Sequence, residues 1–257
     1  MDMAENNSEL DASVPQARVG ELPPDWRSQF ALHYVSQGVR PGTKRTSNDC
    51  GPANVAMMLD YWRKREGLDV PAPGLAAALK TMLPVIDRVP VVLPQVKIPT
   101  EWLGSKNIFH RLAVAYQKLA QRNMESSGGT GPWAVAGTFN RLVLRMGADV
   151  RASWRNKCTF EDLISALQRG FPLTVMLIWP EEWGSGGHWV TVVGCDTQSG
   201  KVAYLDPDPA LAEVPLEQKL KLVEKEWFEK YWGGRNWWAR LLNQHNVMVT
   251  YKQKASD

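Results

Sequence analysis

Only three cysteines occur in 257 residues, Cys50, Cys158 and Cys195, and no two form a CxxC pair. A disulfide framework and a thiolate zinc site are therefore both excluded as the basis of the fold. No run of 18 apolar residues exists, so the sequence offers no membrane span. The first 20 residues are polar and acidic with no apolar core segment, which excludes a secretory signal peptide. The default compartment is cytoplasmic, with signal-independent export left open. Neither sign of charge predominates: 30 basic residues face 27 acidic ones, too even a balance to build a field for nucleic acid or an anionic membrane. Internal repeats and long low-complexity tracts are also missing.

What the chain does have is enough apolar content, 44%, to bury one sizeable core. Residues 1–25 read as a disordered tail, and residues 26–257 as a single domain with a helical part, about 48–150, followed by a sheet part, about 151–252.

The richest local signal is Asn48-Asp49-Cys50-Gly51-Pro52-Ala53. Beyond it Val55, Met58, Leu59 and Trp62 fall at i, i+3, i+4 and i+7, the stripe of a buried helix face. Pro52 suits a first turn, where its missing N–H has no partner to lose. Cys50 then stands at a helix N-terminus, where unpaired amides and the helix dipole favour a thiolate, the reactive form of the side chain.

Far downstream, Gly184-Ser185-Gly186-Gly187 leads into His188-Trp189-Val190-Thr191-Val192-Val193-Gly194, a β-branched run that reads as a buried strand with a histidine at its mouth. The next strand, Lys201 to Leu205, ends at Asp206-Pro207. Two adjacent strands place Asp206 beside His188, where a carboxylate fixes the imidazole tautomer and stabilises the imidazolium. Asp208 follows the same strand and competes for that role, with Asp206 preferred because it is nearer the strand end.

Other elements follow from periodicity and punctuation. Ile108, Leu112, Ala115 and Leu119 mark a helix; Pro132 opens another, running through Phe139, Leu142 and Leu144 to Gly147. A third begins at Thr159, with Asp162 in a capping-box position, and ends at Arg169-Gly170. Leu173 to Trp179 and Val247 to Tyr251 read as strands, and Leu216, Leu220, Val223 and Trp227 as one face of a helix. The proline-rich stretch from Pro84 to Pro99 reads as a crossing loop, excluded from helix and central strand. Pro180 to Gly187 reads as a flap, and Gly128-Gly129 as part of a flexible loop. Trp183 or Trp189, flanking His188, is a candidate to shield it from water. Cys158 and Cys195 read as buried inert thiols, and His33, His110 and His245 as structural histidines.

Five segments together resemble papain-like cysteine peptidases of the bacteriocin-processing type, which cut after a double glycine, and especially their stand-alone relatives. They are His33 to Gln37, Asp49 to Ala53, Gln168 to Pro172, Gly187 to Gly194 and Leu205 to Pro207. They stand in the family's order, and the spacing of Cys50 and His188 suits papain-type enzymes. The resemblance implies an α+β papain-like fold, in which a helical lobe carries the cysteine and an antiparallel β-sheet lobe the histidine. It also implies a peptide or protein substrate and no cofactor or metal. Its catalytic set is Cys50 as nucleophile, His188 as base and acid, and Asp206 as orienter, with a glutamine completing the oxyanion hole. Here Gln37 is separated from Cys50 by an insertion, Gly38 to Asp49, so either Gln37 reaches across it or Asn48 substitutes; Gln37 is preferred for its Tyr-Val-Ser-Gln setting. Two alternatives stand beside peptide hydrolysis. One is acyl or amide transfer on the same scaffold, in the manner of phytochelatin synthases or transglutaminases; the other is a catalytically silent binding module.

Overall fold

The computed structural model describes residues 17–20, 22, 30, 33–38, 49–86, 130–179, 187–215, 218–234 and 245–253. The expected helix at 108–119, the Gly128-Gly129 loop, most of the 180–187 flap, Asn48, His110 and Trp183 lie outside the described residues.

Helix α1 runs from Cys50 to Arg65. From Cys50 to Leu59 every residue is buried, so the helix is enclosed on all sides rather than along a single stripe. Its last turn carries Arg63, Lys64 and Arg65, cations that complement the negative end of the dipole. Gly51 is required at its place, because a Cβ there would lie 2.6 Å from the Cβ of Thr130. Helix α2 covers Leu75–Ile86. The crossing loop expected from Pro84 onward is therefore corrected at its start: Pro84, Val85 and Ile86 are the last turn of α2. A proline that near the C-terminus forfeits one backbone bond without interrupting a long helix. Helix α3, Pro132–Met146, opens on proline and closes on Gly147, whose φ of 78° is the left-handed cap that glycine adopts without a Cβ penalty.

The sheet follows. Strand β1 is Arg18–Val19, β2 Val150–Arg155, β3 Leu173–Ile178, β4 Gly187–Asp196, β5 Lys201–Leu205, β6 Leu220–Glu224 and β7 Val247–Gln253. Their order is β2-β7-β3-β4-β5-β6, antiparallel throughout, with β1 added parallel to β4. Helix α4, Phe160–Leu167, starts from a complete capping box between Thr159 and Asp162. Helix α5 is Lys225–Trp232.

Two further expectations are corrected. Leu220 and Val223 belong to β6, hydrogen-bonded to β5, and Trp227 to the separate helix α5. Spacings of three and four residues imitated one helix because a strand and a helix meet end to end there; Leu216 lies outside the described residues. In the expected N-terminal tail, Arg18 and Val19 pair with Gly194 and Cys195, and the Ala17 N–H donates to the Gly170 carbonyl at 3.1 Å. Those residues are part of the sheet, a placement that polar composition could not reveal.

Strand β4 is buried along both faces, as sheets covered on two sides are. Trp189 and Val193 enter a core shared with α1 and α3, whereas Val190, Val192 and Cys195 enter a second core with Leu163, Phe228 and Trp232 of α4 and α5. This is an α+β arrangement in which the cysteine helix packs on one side of the strand that carries the histidine.

Candidate active site

Cys50 is the first residue of α1 and is 6% exposed. Asp49 before it makes no side-chain capping bond, so the first-turn amides are not taken up by an N-cap carboxylate. His188 is the second residue of β4. Its Nε2–H donates to Asp206 Oδ1 at 2.7 Å, which leaves Nδ1 for the hydrogen bond with Cys50. The register explains the first contact. Thr191 faces Leu205, so one pair further Val190 faces Asp206, and His188 is Asp206's diagonal neighbour across the two strands.

Burial works against a charged imidazole here, but the hydrogen bonds from His188 to Asp206 and Cys50, with their negative charges, outweigh it. The imidazole is held protonated well above histidine's ordinary range. Asp206 is 3% exposed and its carboxylate is fully engaged. Oδ1 also accepts the Asp208 N–H at 3.0 Å, and Oδ2 accepts from Lys221 Nζ at 2.6 Å. Burial opposes its ionisation, yet His188 and Lys221 together hold the carboxyl well below the usual carboxylate range.

Asp208 is occupied elsewhere. Its carboxylate accepts the Ala210 N–H at 3.0 Å, capping a short 3₁₀ turn, Pro209–Leu211. Its carbonyl accepts the Tyr34 O–H at 2.7 Å. Gln37 is buried, and its backbone N–H donates to the Pro207 carbonyl at 2.9 Å. The segment from Tyr34 to Gln37 is thereby laid along the turn that follows Asp206.

Three contributors escaped sequence reasoning. Asn54, wholly buried one turn after Cys50, donates from Nδ2 to the carbonyls of Cys50 and Trp189, both at 2.8 Å, and its Oδ1 accepts the Thr191 O–H at 2.6 Å. It ties the helix of the cysteine to the strand of the histidine. Lys221 was hidden because its segment read as helix; as a strand residue it faces Tyr204, two places before Asp206. Trp179, not Trp189, stacks on the His188 ring, with centroids 5.9 Å apart and planes at 25°. Trp189 points into the core instead, its Nε1–H donating to the Thr130 carbonyl at 2.8 Å.

The remaining polar residues stand apart from this cluster. His33 is buried with Nδ1 at 2.9 Å from Asp60 Oδ2 and its ring edge-on to Tyr61. Cys158 and Cys195 are buried free thiols; burial raises both, Cys195 to about 11. Among the described residues no group of three or more His, Cys, Asp or Glu side chains could hold a metal ion, and no helix is long and apolar enough to cross a membrane.

Chemically, a cysteine at a helix N-terminus bonded to an imidazole that an ionised carboxylate holds protonated can serve as a nucleophile with a proton donor beside it. The chain belongs to the Peptidase_C39 like family, whose model matches residues 29–236. That membership makes it a relative of C39-type papain-like cysteine peptidases, with the α+β papain-like fold, and points to peptides as its substrates. No curated protein matches the chain.

Proposed function

We propose that the protein hydrolyses peptide bonds through a thioester on Cys50. The observation that carries this reading is the position of His188, bonded through Nε2 to Asp206 and through its other nitrogen to Cys50. The Cys50 thiolate attacks the scissile carbonyl carbon, and the negative charge moves to the carbonyl oxygen. Backbone N–H of Cys50 and the side-chain amide of Gln37 donate to that oxyanion; the tether of Gln37 to Pro207 supports Gln37 over Asn48. Collapse of the intermediate breaks the C–N bond as His188 Nδ1 gives its proton to the departing amine. The neutral imidazole then takes a proton from water, the hydroxide attacks the thioester carbon, and the carboxylic acid leaves with the thiolate restored. Asp206 keeps the ring in the orientation and tautomer that both steps need.

This reading takes residues 26–257 as one catalytic domain, with a helical lobe at about 48–150 and a sheet lobe at about 151–252, acting in the cytoplasm. The test combines labelling with turnover. Iodoacetamide should alkylate Cys50 roughly 100-fold faster than Cys158 or Cys195 near neutral pH, as peptide mapping reads out. Cys50→Ala should abolish cleavage of a peptide library that includes double-glycine sequences. Equal labelling of all three cysteines, or cleavage that survives Cys50→Ala, would overturn the proposal. Competition between water and an ordinary amine acceptor at modest concentration separates the two outcomes: amide formed in preference to free acid would mean that the thioester is resolved by an amine and that the enzyme is a transferase.

A further inference from the structure

Asp206 has two carboxylate oxygens, and the hydrolytic reading above uses one. The second, Oδ2, is held by Lys221 Nζ at 2.6 Å, an ion pair whose aspartate is almost wholly buried while the lysine is about one-third exposed. The lysine is no chance surface neighbour. Antiparallel pairing of β5 with β6 sets Lys221 opposite Tyr204, on the diagonal to Asp206, so the backbone register itself delivers the ammonium group to the carboxylate. From Cys50 through His188 and Asp206 to Lys221, potential negative and positive groups then alternate along one hydrogen-bonded chain.

We propose that Lys221 is a positioning residue of the site that acts through Asp206, clamping its second oxygen and offsetting its charge so that His188 can still surrender its proton. The inference rests on the hydrolytic reading for its purpose, and on geometry for its existence. Without Lys221 the imidazolium would face an uncompensated carboxylate on one side and the Cys50 sulfur on the other. A proton held too tightly is a poor one to give to a leaving amine. The ammonium weakens that hold while keeping the carboxylate aimed at Nε2. Its ion-pair partner among the described residues is Asp206. Asp206 otherwise faces His188, and the phenols of Tyr204 on β5 and Tyr34, both pushed up by burial and so neutral over the working range. The neighbouring Asp208 carboxylate is turned into its own cap.

The chain has four histidines, so the ring signal of His188 can be followed by NMR across a pH titration and assigned by its loss in His188→Ala. Removing a positive charge near the imidazolium makes its proton harder to lose. Lys221→Met should therefore raise the His188 titration midpoint by roughly half a unit to one unit, the size expected of one partly exposed charge a few ångströms beyond a buried pair. Lys221→Gln, which keeps a donor but no charge, should raise it as well and serves if the methionine variant does not fold. Lys221→Arg should leave it at the wild-type value. A lysine that merely braces the strand would give no shift in the two uncharged variants, and that result, or an equal shift in Lys221→Arg, overturns the proposal. Iodoacetamide mapping of the wild-type protein keeps the two ideas apart. Loss of preferential Cys50 labelling would sink the hydrolytic reading, whereas the midpoints alone decide Lys221.

Discussion

Asn54 on α1 donates to the carbonyl of Trp189, the residue after His188, at 2.8 Å, and both groups are out of reach of water. The same amide group serves the Cys50 carbonyl, so one side chain registers the helix of Cys50 against the strand of His188. Asn54→Ala would remove three buried hydrogen bonds, to the carbonyls of Cys50 and Trp189 and from the Thr191 hydroxyl. It should destabilise the protein by about 2–4 kcal/mol in urea unfolding. Asn54→Ser, able to keep one bond, should lose less.

The oxyanion assignment separates by kinetics. Gln37→Ala should lower kcat by roughly 100-fold to 1000-fold with KM little changed, because the bond is made chiefly in the transition state. Asn48→Ala should do far less. A large loss confined to Asn48→Ala would mean that the insertion from Gly38 to Asp49 has moved the role to Asn48.

Close packing at the helix start gives a third expectation. Gly51→Ala puts a methyl 2.6 Å from the Thr130 Cβ, an overlap that something must relieve, at a cost of about 1–3 kcal/mol. Thr130→Gly removes the atom it strikes. The double variant should therefore be less destabilised than the two single changes add up to, measured by denaturant midpoints.

Acid stability follows from two carboxylates. Burial opposes the ionisation of Asp60, but hydrogen bonds and charge from His33, Lys64 and Arg63 prevail and hold it well below the usual range, as His188 and Lys221 hold Asp206. A carboxyl depressed in the folded state contributes stability that is complete above its unfolded value, near 4, and lost as pH falls through the lower folded one. Stability should thus decline as pH drops below about 4. Asp60→Asn should be less stable at pH 7 and should show a shallower decline in Tm between pH 4 and 2; an unchanged slope would remove Asp60 from the account.

Legibility from sequence followed the reach of each interaction. The Cys50 helix, the capping box at Thr159 and Asp162, and strands β3, β4, β5 and β7 announce themselves through local period and punctuation. Asp206 was reachable because a hairpin between adjacent strands leaves few registers. Lys221 was not, since its relevance depends on β6 pairing with β5, and the spacing from Leu216 to Trp227 suggested helix. Asn54 was hidden for a different reason: its partners lie on β4, 135 or more positions away, and no period encodes such a contact. Trp179 sat inside a strand that read as core, and only the end of β3 turning beside the mouth of β4 brings its ring onto His188.

Strand β6 closes one end of the sheet and pairs with β5 alone in the strand order. Outer strands open more readily than central ones, and here the outer strand carries the counter-charge of a buried carboxylate. Each transient lifting of β6 would withdraw the ammonium from Asp206 while β4 and β5 stay closed. Amide hydrogens of β6 should exchange with solvent faster than those of β4, and solutes that loosen the sheet margin should alter the proton affinity of His188 before they unfold the protein.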